Sequence, residues 1–185
     1  QKLLPDTLPI REGWVDKSEL LSIHGRGRKD QIHLATQMGI IFPTPAGGCL
    51  LTDRNFTLRL RELIAHGETD EESITLLRFG RHFRLSPNTK LIIGRTEADN
   101  IELEKHSSLG IRMLIKDVNG PLGIIVSQNP EPDIISLAAS ILLYYSRRAS
   151  DPGTVKYGID NILDSEIVVN KCPEDILREH IISLD

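Results

Sequence analysis

The sequence predicts an α+β chain: a helical N-terminal segment over residues 1–67, then a small antiparallel or mixed sheet packed on helices over residues 68–185. Three observations carry that expectation. Apolar residues recur at helical spacing up to Gly67, short alternating runs with turn signals begin at Gly80, and one broadly apolar helical stretch, Asp133 to Arg148, lies among the later strands. In a chain of 185 residues, a hydrophobic content of 39% is enough for a core. The two cysteines, Cys49 and Cys172, are far apart and fit neither a CxxC nor a zinc-ligand spacing, so the fold is expected to need no disulfide and no metal.

Taken in order, Pro5, Pro9 and Gly13 give residues 1–15 the look of an extended connector. The phrase Asp16-Lys-Ser-Glu19 resembles a capping box for a short helix to about Ile23. A second helix, about Lys29 to Met38, is closed by Gly39, and a third runs from about Arg54 to His66 with Phe56, Leu60, Leu63 and Ile64 on one face. The acidic run from Glu68 to Ser73 reads as a linker, which places a domain boundary near residue 68. Arg81–Leu85 and Lys90–Gly94 then form a hairpin across Ser86-Pro-Asn-Thr89, and Thr96 or Glu97 opens a helix to about Ser107. Ile111–Lys116 and Leu122–Ser127 make a second hairpin, with Asn119-Gly120 as a favoured tight-turn signal. Helix 133–148, strands near 154–159 and 166–170, and a helix from Pro173 to Ile182 complete the second unit.

Charge is unevenly spread. The formal net charge is −4, yet residues 97–185 carry eight Lys/Arg against fifteen Asp/Glu, while Arg78, Arg81, Arg84, Lys90 and Arg95 follow one another with no acid among them. A basic stripe inside an acidic protein suits a phosphate backbone. Strand alternation sets His82 and Arg84 on one face and Arg81 and Phe83 on the other. Arg147 and Arg148 beside Tyr144 and Tyr145 offer the same chemistry, as do Arg26, Arg28 and Lys29 in a glycine loop at a helix start. Against this stand pairing of the arginines with the acidic tail and burial of at least one tyrosine in the core. Cys49 follows Gly47-Gly48 and precedes a helix start at Thr52-Asp53, a setting that eases thiol ionisation; the alternative is a small buried side chain. The chain shows no Gly-x-Gly-x-x-Gly, P-loop, HExxH or Ser/His/Asp pattern, no signal peptide and no apolar run of membrane-spanning length, and reads as cytoplasmic. It opens at Gln1 without a methionine, as an internal segment of a longer protein would.

Two resemblances follow from these residues. Residues 4–53, with Gly13-Trp-Val-Asp16, Gly25-Arg-Gly-Arg-Lys29, Gln31 and Pro45-Ala-Gly-Gly-Cys-Leu-Leu-Thr-Asp53, resemble the C-terminal tail of a PP-loop ATPase related to tRNA thiouridine synthases. Residues 79–171 resemble the RNA-binding domain of the NFACT family, in the variant fused behind such an ATPase. The matching pieces are Phe83-Arg84, Leu91-Ile-Ile-Gly-Arg95 with Asn100, Gly120-Pro-Leu-Gly123, and Ala138-Ala139 running into Tyr144-Tyr-Ser-Arg-Arg148. Where other members carry a Trp/His motif before the second hairpin, this chain has Lys105-His-Ser-Ser-Leu109.

The resemblances imply the tRNA-binding portion of a thiouridine-forming sulfurtransferase, in which Cys49 is the later of two sulfur-handling cysteines and tRNA and a sulfur-donor protein are partners. The PP-loop motif Ser-Gly-Gly-x-Asp-Ser is absent from these residues, so ATP with Mg is expected in a separate ATPase domain and no cofactor in this chain. Arg26, Arg28, Lys29, Arg78, Arg81, His82, Arg84, Arg95, Asn100, Arg147 and Arg148 are the expected RNA contacts. The alternative is an interaction domain that docks a sulfur carrier or other protein on its acidic surface, without RNA.

Overall fold

In a computed structural model, which describes residues 2–24, 27–42, 49–127, 129–159 and 162–183, the chain divides into two compact units, Gln1–Cys49 and Leu50–Asp185. The first is sparse. Pro9 in a first turn starts α1 (Leu8–Arg11), where the sequence suggested only an extended connector. The Asp16 carboxylate accepts the Ser18 amide at 2.8 Å, but it caps a single 3₁₀ turn, Lys17–Glu19, because Leu20 is already extended. The expected helix to Ile23 therefore does not form. Helix α2 (Lys29–Gln37) does, and Gly39 ends it at a φ of 66°. None of the described residues of this unit is buried, and Trp14 remains 71% exposed.

The second unit holds the core. It starts with α3 (Arg54–Ala65), whose first turn is capped by Asp53 accepting from the Phe56 amide at 2.8 Å. Next come α4 (Glu71–Leu76), β1 (Arg81–Ser86), β2 (Thr89–Ile93), α5 (Glu97–Glu104), β3 (Ile111–Ile115), β4 (Gly123–Val126), α6 (Pro132–Tyr144), β5 (Gly153–Gly158), β6 (Ser165–Val169) and α7 (Glu174–His180). The six strands form one antiparallel sheet in the order β1-β2-β4-β3-β5-β6, so the fold is α+β as expected.

One face of the sheet packs on α6 through Phe83, Leu91, Ile93, Met113, Ile125, Ala139, Leu142 and Val155. The other face buries Ile92, Leu122 and Ile124 against Leu76 and Leu103. Apolar contact on both faces explains why all five residues of β2 are buried, a pattern unlike that of a half-exposed strand. The outer edge of β1 is closed by the segment after α7: Phe83 bridges to Ile181, and the Ile182 amide donates to the His82 carbonyl at 2.8 Å.

Helix α3 belongs to this unit. Phe56 and Leu63 bury against Leu77, Arg59 Nη1 donates to the Leu77 carbonyl at 3.1 Å, and Glu62 pairs with Arg84 of β1 at 2.6 Å. The division after Cys49 thus differs from the boundary suggested near residue 68. Gly67, with φ 74°, is a helix-ending turn, and Glu68 reaches back to Arg84 instead of running out as a linker. The second hairpin also departs from expectation. Its positive-φ residue is Asp117 (φ 62°), not Gly120, and Leu122 continues the pairing of β4 with β2 rather than with β3: its carbonyl accepts from the Gly94 amide, and its amide donates to Asn100 Oδ1.

Candidate nucleic-acid interface

Strand β1 presents alternate side chains to different surroundings. Arg81 and Phe83 face α6, and the Arg81 guanidinium lies over the Tyr145 ring, 4.4 Å from its centroid. Tyr145 is itself held by Phe83 at 6.0 Å and by Tyr144, edge-on, at 5.2 Å. Burial lowers the Arg81 pKa from the ordinary arginine value, with the tyrosine acting against that shift. Among the described residues Arg81 has no carboxylate at ion-pair distance.

Arg81 and Tyr145 line an open cleft of about 900 Å³. The rest of its lining comes from Gly94, Arg95, Thr96, Glu97 and Asn100 at the end of β2 and the start of α5 and from Asp117, Asn119 and Pro121 in the β3–β4 connection. Gly94 is required where β2 ends, because a Cβ there would collide with Asn100 Oδ1. That oxygen accepts from the Leu122 amide at 3.1 Å, so Asn100 ties the two sides of the cleft together. Arg95 is anchored by its backbone amide to Asp99 at 3.0 Å and by its Nε to the same carboxylate at 3.4 Å; its side chain stays 44% exposed.

Of the residues the sequence suggested for RNA, the fold brings Arg81, Arg95 and Asn100 to this cleft. His82 lies on the opposite face of β1, wholly buried, its Nε2–H donating to the Phe79 carbonyl at 2.8 Å. Arg84 is held by three short bonds, Nε to Glu62 at 2.6 Å and a bidentate grip on Glu68 at 2.7 and 2.9 Å. Burial pulls its pKa down, but the hydrogen bonds to Glu68 and Glu62 outweigh that and hold it above the ordinary value.

Arg78 is exposed beyond α4. Arg147 and Arg148 are exposed too, in the bend that follows α6, which ends at Tyr144 rather than at Arg148; neither lines the cleft. Arg28 and Lys29 are exposed at the start of α2 in the first unit, and Arg26 lies outside the described residues, as do Pro45, Gly47 and Gly48. Cys49 is exposed and Cys172 is buried.

Sequence reasoning did not anticipate Glu97, Asp117 and Asn119 in the cleft, nor the pairing of Arg81 with Tyr145, which closes only through a contact sixty-four residues apart in the chain. The acidic surface is less bare than the net charge of residues 97–185 suggests: Asp99, Glu104, Glu166 and Glu174 each pair with a basic side chain. Among the described residues no helix is long and apolar enough to cross a membrane.

Comparison with known proteins bears on this cleft. No curated protein matches the chain in sequence. Among solved structures the chain is similar to the C-terminal part of the fibronectin/fibrinogen-binding protein from Streptococcus suis, at 18% identity and a TM-score of 0.47, covering 68% of this chain and 61% of that one. The chain therefore spans about three fifths of the length of that structure. Residues 80–181, from the glycine before β1 to the bridge that closes its edge, match the family model of the NFACT protein RNA-binding domain, and with more than half its length matched the chain belongs to that family.

Proposed function

We propose that the cleft binds single-stranded RNA. The observation that carries this reading is the Arg81–Tyr145 pair sharing one cleft with Arg95. A guanidinium plane packed on a ring is a rigid shelf on which a base can stack, and Arg95 adds a half-exposed cation for the backbone. Glu97, Asn119 and Asp117 line the same cleft and supply acceptors, and Asn119 donors as well, for base edges. The family membership supports the same assignment.

Fluorescence anisotropy with a labelled single-stranded oligoribonucleotide tests it. Arg81→Ala and Arg95→Ala are each expected to weaken binding several-fold and to reduce the salt slope by about 0.7–1, the signature of one lost phosphate contact. Unchanged affinity and slope in both variants would reject the cleft, and capture of a basic protein partner with no RNA binding would favour docking on the acidic surface.

The finer reading is that the RNA is tRNA and that this chain serves a thiouridine-forming enzyme whose ATPase domain activates the uridine. It is supported by the resemblance of residues 4–53 to the tail of such an ATPase and by the exposure of Cys49, which leaves the thiol accessible to a sulfur-donor protein. The Cys49 thiolate would attack the outer sulfur of a donor persulfide, forming a Cys49 persulfide and expelling the donor thiolate; its terminal sulfur would then displace AMP from the adenylated uridine, and a second thiol would cleave the remaining S–S bond by forming a disulfide with Cys49. In the intact protein, Cys49→Ser is expected to abolish thiolated uridine in isolated tRNA while leaving RNA affinity intact. Undiminished thiolation would end the assignment.

A further inference from the structure

Adjoining the cleft, and sharing Arg81 and Arg95 with it, is a second, smaller cavity of about 220 Å³, bordered also by Arg59 of α3, His82, Asn55 and the segment after α7 at Ile182. That is many times the ~10–15 Å³ that seats one water. Three arginines border it, and among the described residues only Arg95 of the three has a carboxylate at ion-pair distance. Arg59 is only 7% exposed and spends Nη1 on the Leu77 carbonyl, while its Nε is buried with no hydrogen-bond partner. His82 is wholly buried and its Nδ1 likewise has no partner.

Buried donors and acceptors left unmatched in this way are costly, and a buried cation without a counter-charge more so. The acids nearest in effect on Arg59 are committed elsewhere: Asp53 caps α3 through the Phe56 amide, and Asp99 holds the Arg95 amide and Nε. Among the described residues no carboxylate reaches ion-pair distance of Arg59 or Arg81.

We infer that this cavity is a seat for a phosphate monoester, the group that ends an RNA strand or a mononucleotide. Its chemistry fits what is unmatched. The Nε–H of Arg59 and the guanidinium groups of Arg95 and Arg81 donate to phosphate oxygens. With Nε2–H given to Phe79, the Nδ1 of His82 is an acceptor that is closed to solvent in this structure, and a monoester, unlike a phosphodiester, has a P–OH that can donate to it once the side chains part around the phosphate. Arg81 and Arg95 border both cavity and cleft, so a strand lying in the cleft can turn its terminal phosphate inward between them. The seat itself does not depend on the RNA reading; its use for a strand end does.

The test uses the whole chain in phosphate-free buffer, with inorganic phosphate, a nucleoside 5′-monophosphate, and one short single-stranded oligoribonucleotide prepared with either a 5′-phosphate or a 5′-hydroxyl. The seat predicts that phosphate and the mononucleotide raise the melting temperature in a saturable way. Where RNA binds, the phosphorylated strand should bind about tenfold or more tightly than the hydroxyl strand, the scale of one or two charge-assisted hydrogen bonds. Arg59→Lys and, because a buried substitution can impair folding, the more exposed Arg95→Gln should each reduce both effects.

Saturable phosphate and mononucleotide binding without RNA binding supports the seat and rejects its use for a strand end. RNA binding with no preference between strand ends and no response to phosphate or mononucleotide overturns the seat and leaves the cleft assignment standing. An identical response in wild type and both variants also overturns it.

Discussion

Arg84→Ala is expected to lower the stability of the second unit by about 2–3 kcal/mol, because it removes the shared partner of two poorly exposed carboxylates. The Arg84 side chain is 13% exposed, Glu62 16% and Glu68 30%. Lys90 at 3.3 Å from Glu62 retains part of the compensation, which keeps the loss below that of a fully orphaned buried charge. For a chain of this size the change corresponds to a fall in melting temperature of roughly 5–10 °C.

Affinity for single-stranded RNA and its salt slope should stay at wild-type values once folding is corrected for. A double-mutant cycle with Glu62→Ala should show positive coupling of about 1 kcal/mol or more. Loss of RNA affinity with a lower salt slope and no change in melting temperature would instead make Arg84 a phosphate ligand.

Arg84 shows where sequence reading stops. Its position on a basic stripe was legible, and so was its facing opposite to Arg81, since strand alternation needs only local spacing. What decides its role is Glu62, twenty-two residues earlier on α3, and no local pattern reports that a helix assigned to one unit packs on the strand of another. The same misreading moved the boundary to residue 68: an acidic run after a glycine looks like a solvated linker until the acid finds its arginine.

Elements whose period is strong and whose neighbours are local were readable, among them α3 with its Asp53 cap, the β1–β2 hairpin and α6 as the central packing helix. Asp16 gives only a 3₁₀ turn, because the apolar residues behind it, Leu20, Leu21 and Ile23, bury against nothing among the described residues of the first unit.

The cleft was legible as residues and not as a place. Arg81, Arg95 and Asn100 were singled out, but as members of a list of eleven spread over both units. Only the fold separates the three that meet from His82, which alternation sends into the interior, and from Arg147 and Arg148, released from α6 when it stops at Tyr144. Asn100 also changes meaning. Its oxygen is spent on the Leu122 amide, so its first task is to tie α5 to the start of β4 at the close approach that Gly94 allows.

The burial of His82 gives the second large effect, a loss of stability on mild acidification. Burial, reinforced by the nearby Lys90 and Arg59 cations, holds its pKa well below the ordinary imidazole value of 6.5, so it is neutral in the folded chain while the unfolded chain takes up a proton near pH 6.5. Proton uptake then favours the unfolded state, and stability present above pH 6.5 falls as the pH drops through the range below it. The slope for one such group approaches about 1.4 kcal/mol per pH unit.

Denaturant melts between pH 7.5 and 5 in phosphate-free buffer should show this decline, and His82→Gln, which can keep a donor toward the Phe79 carbonyl, should flatten it. The window separates His82 from Glu62, whose pKa is lowered by Arg84 and Lys90 against the effect of burial, and whose contribution is lost only below the ordinary glutamate value of 4.5. Equal slopes for wild type and His82→Gln between pH 6.5 and 5 would show that the buried imidazole is not the group that titrates on unfolding.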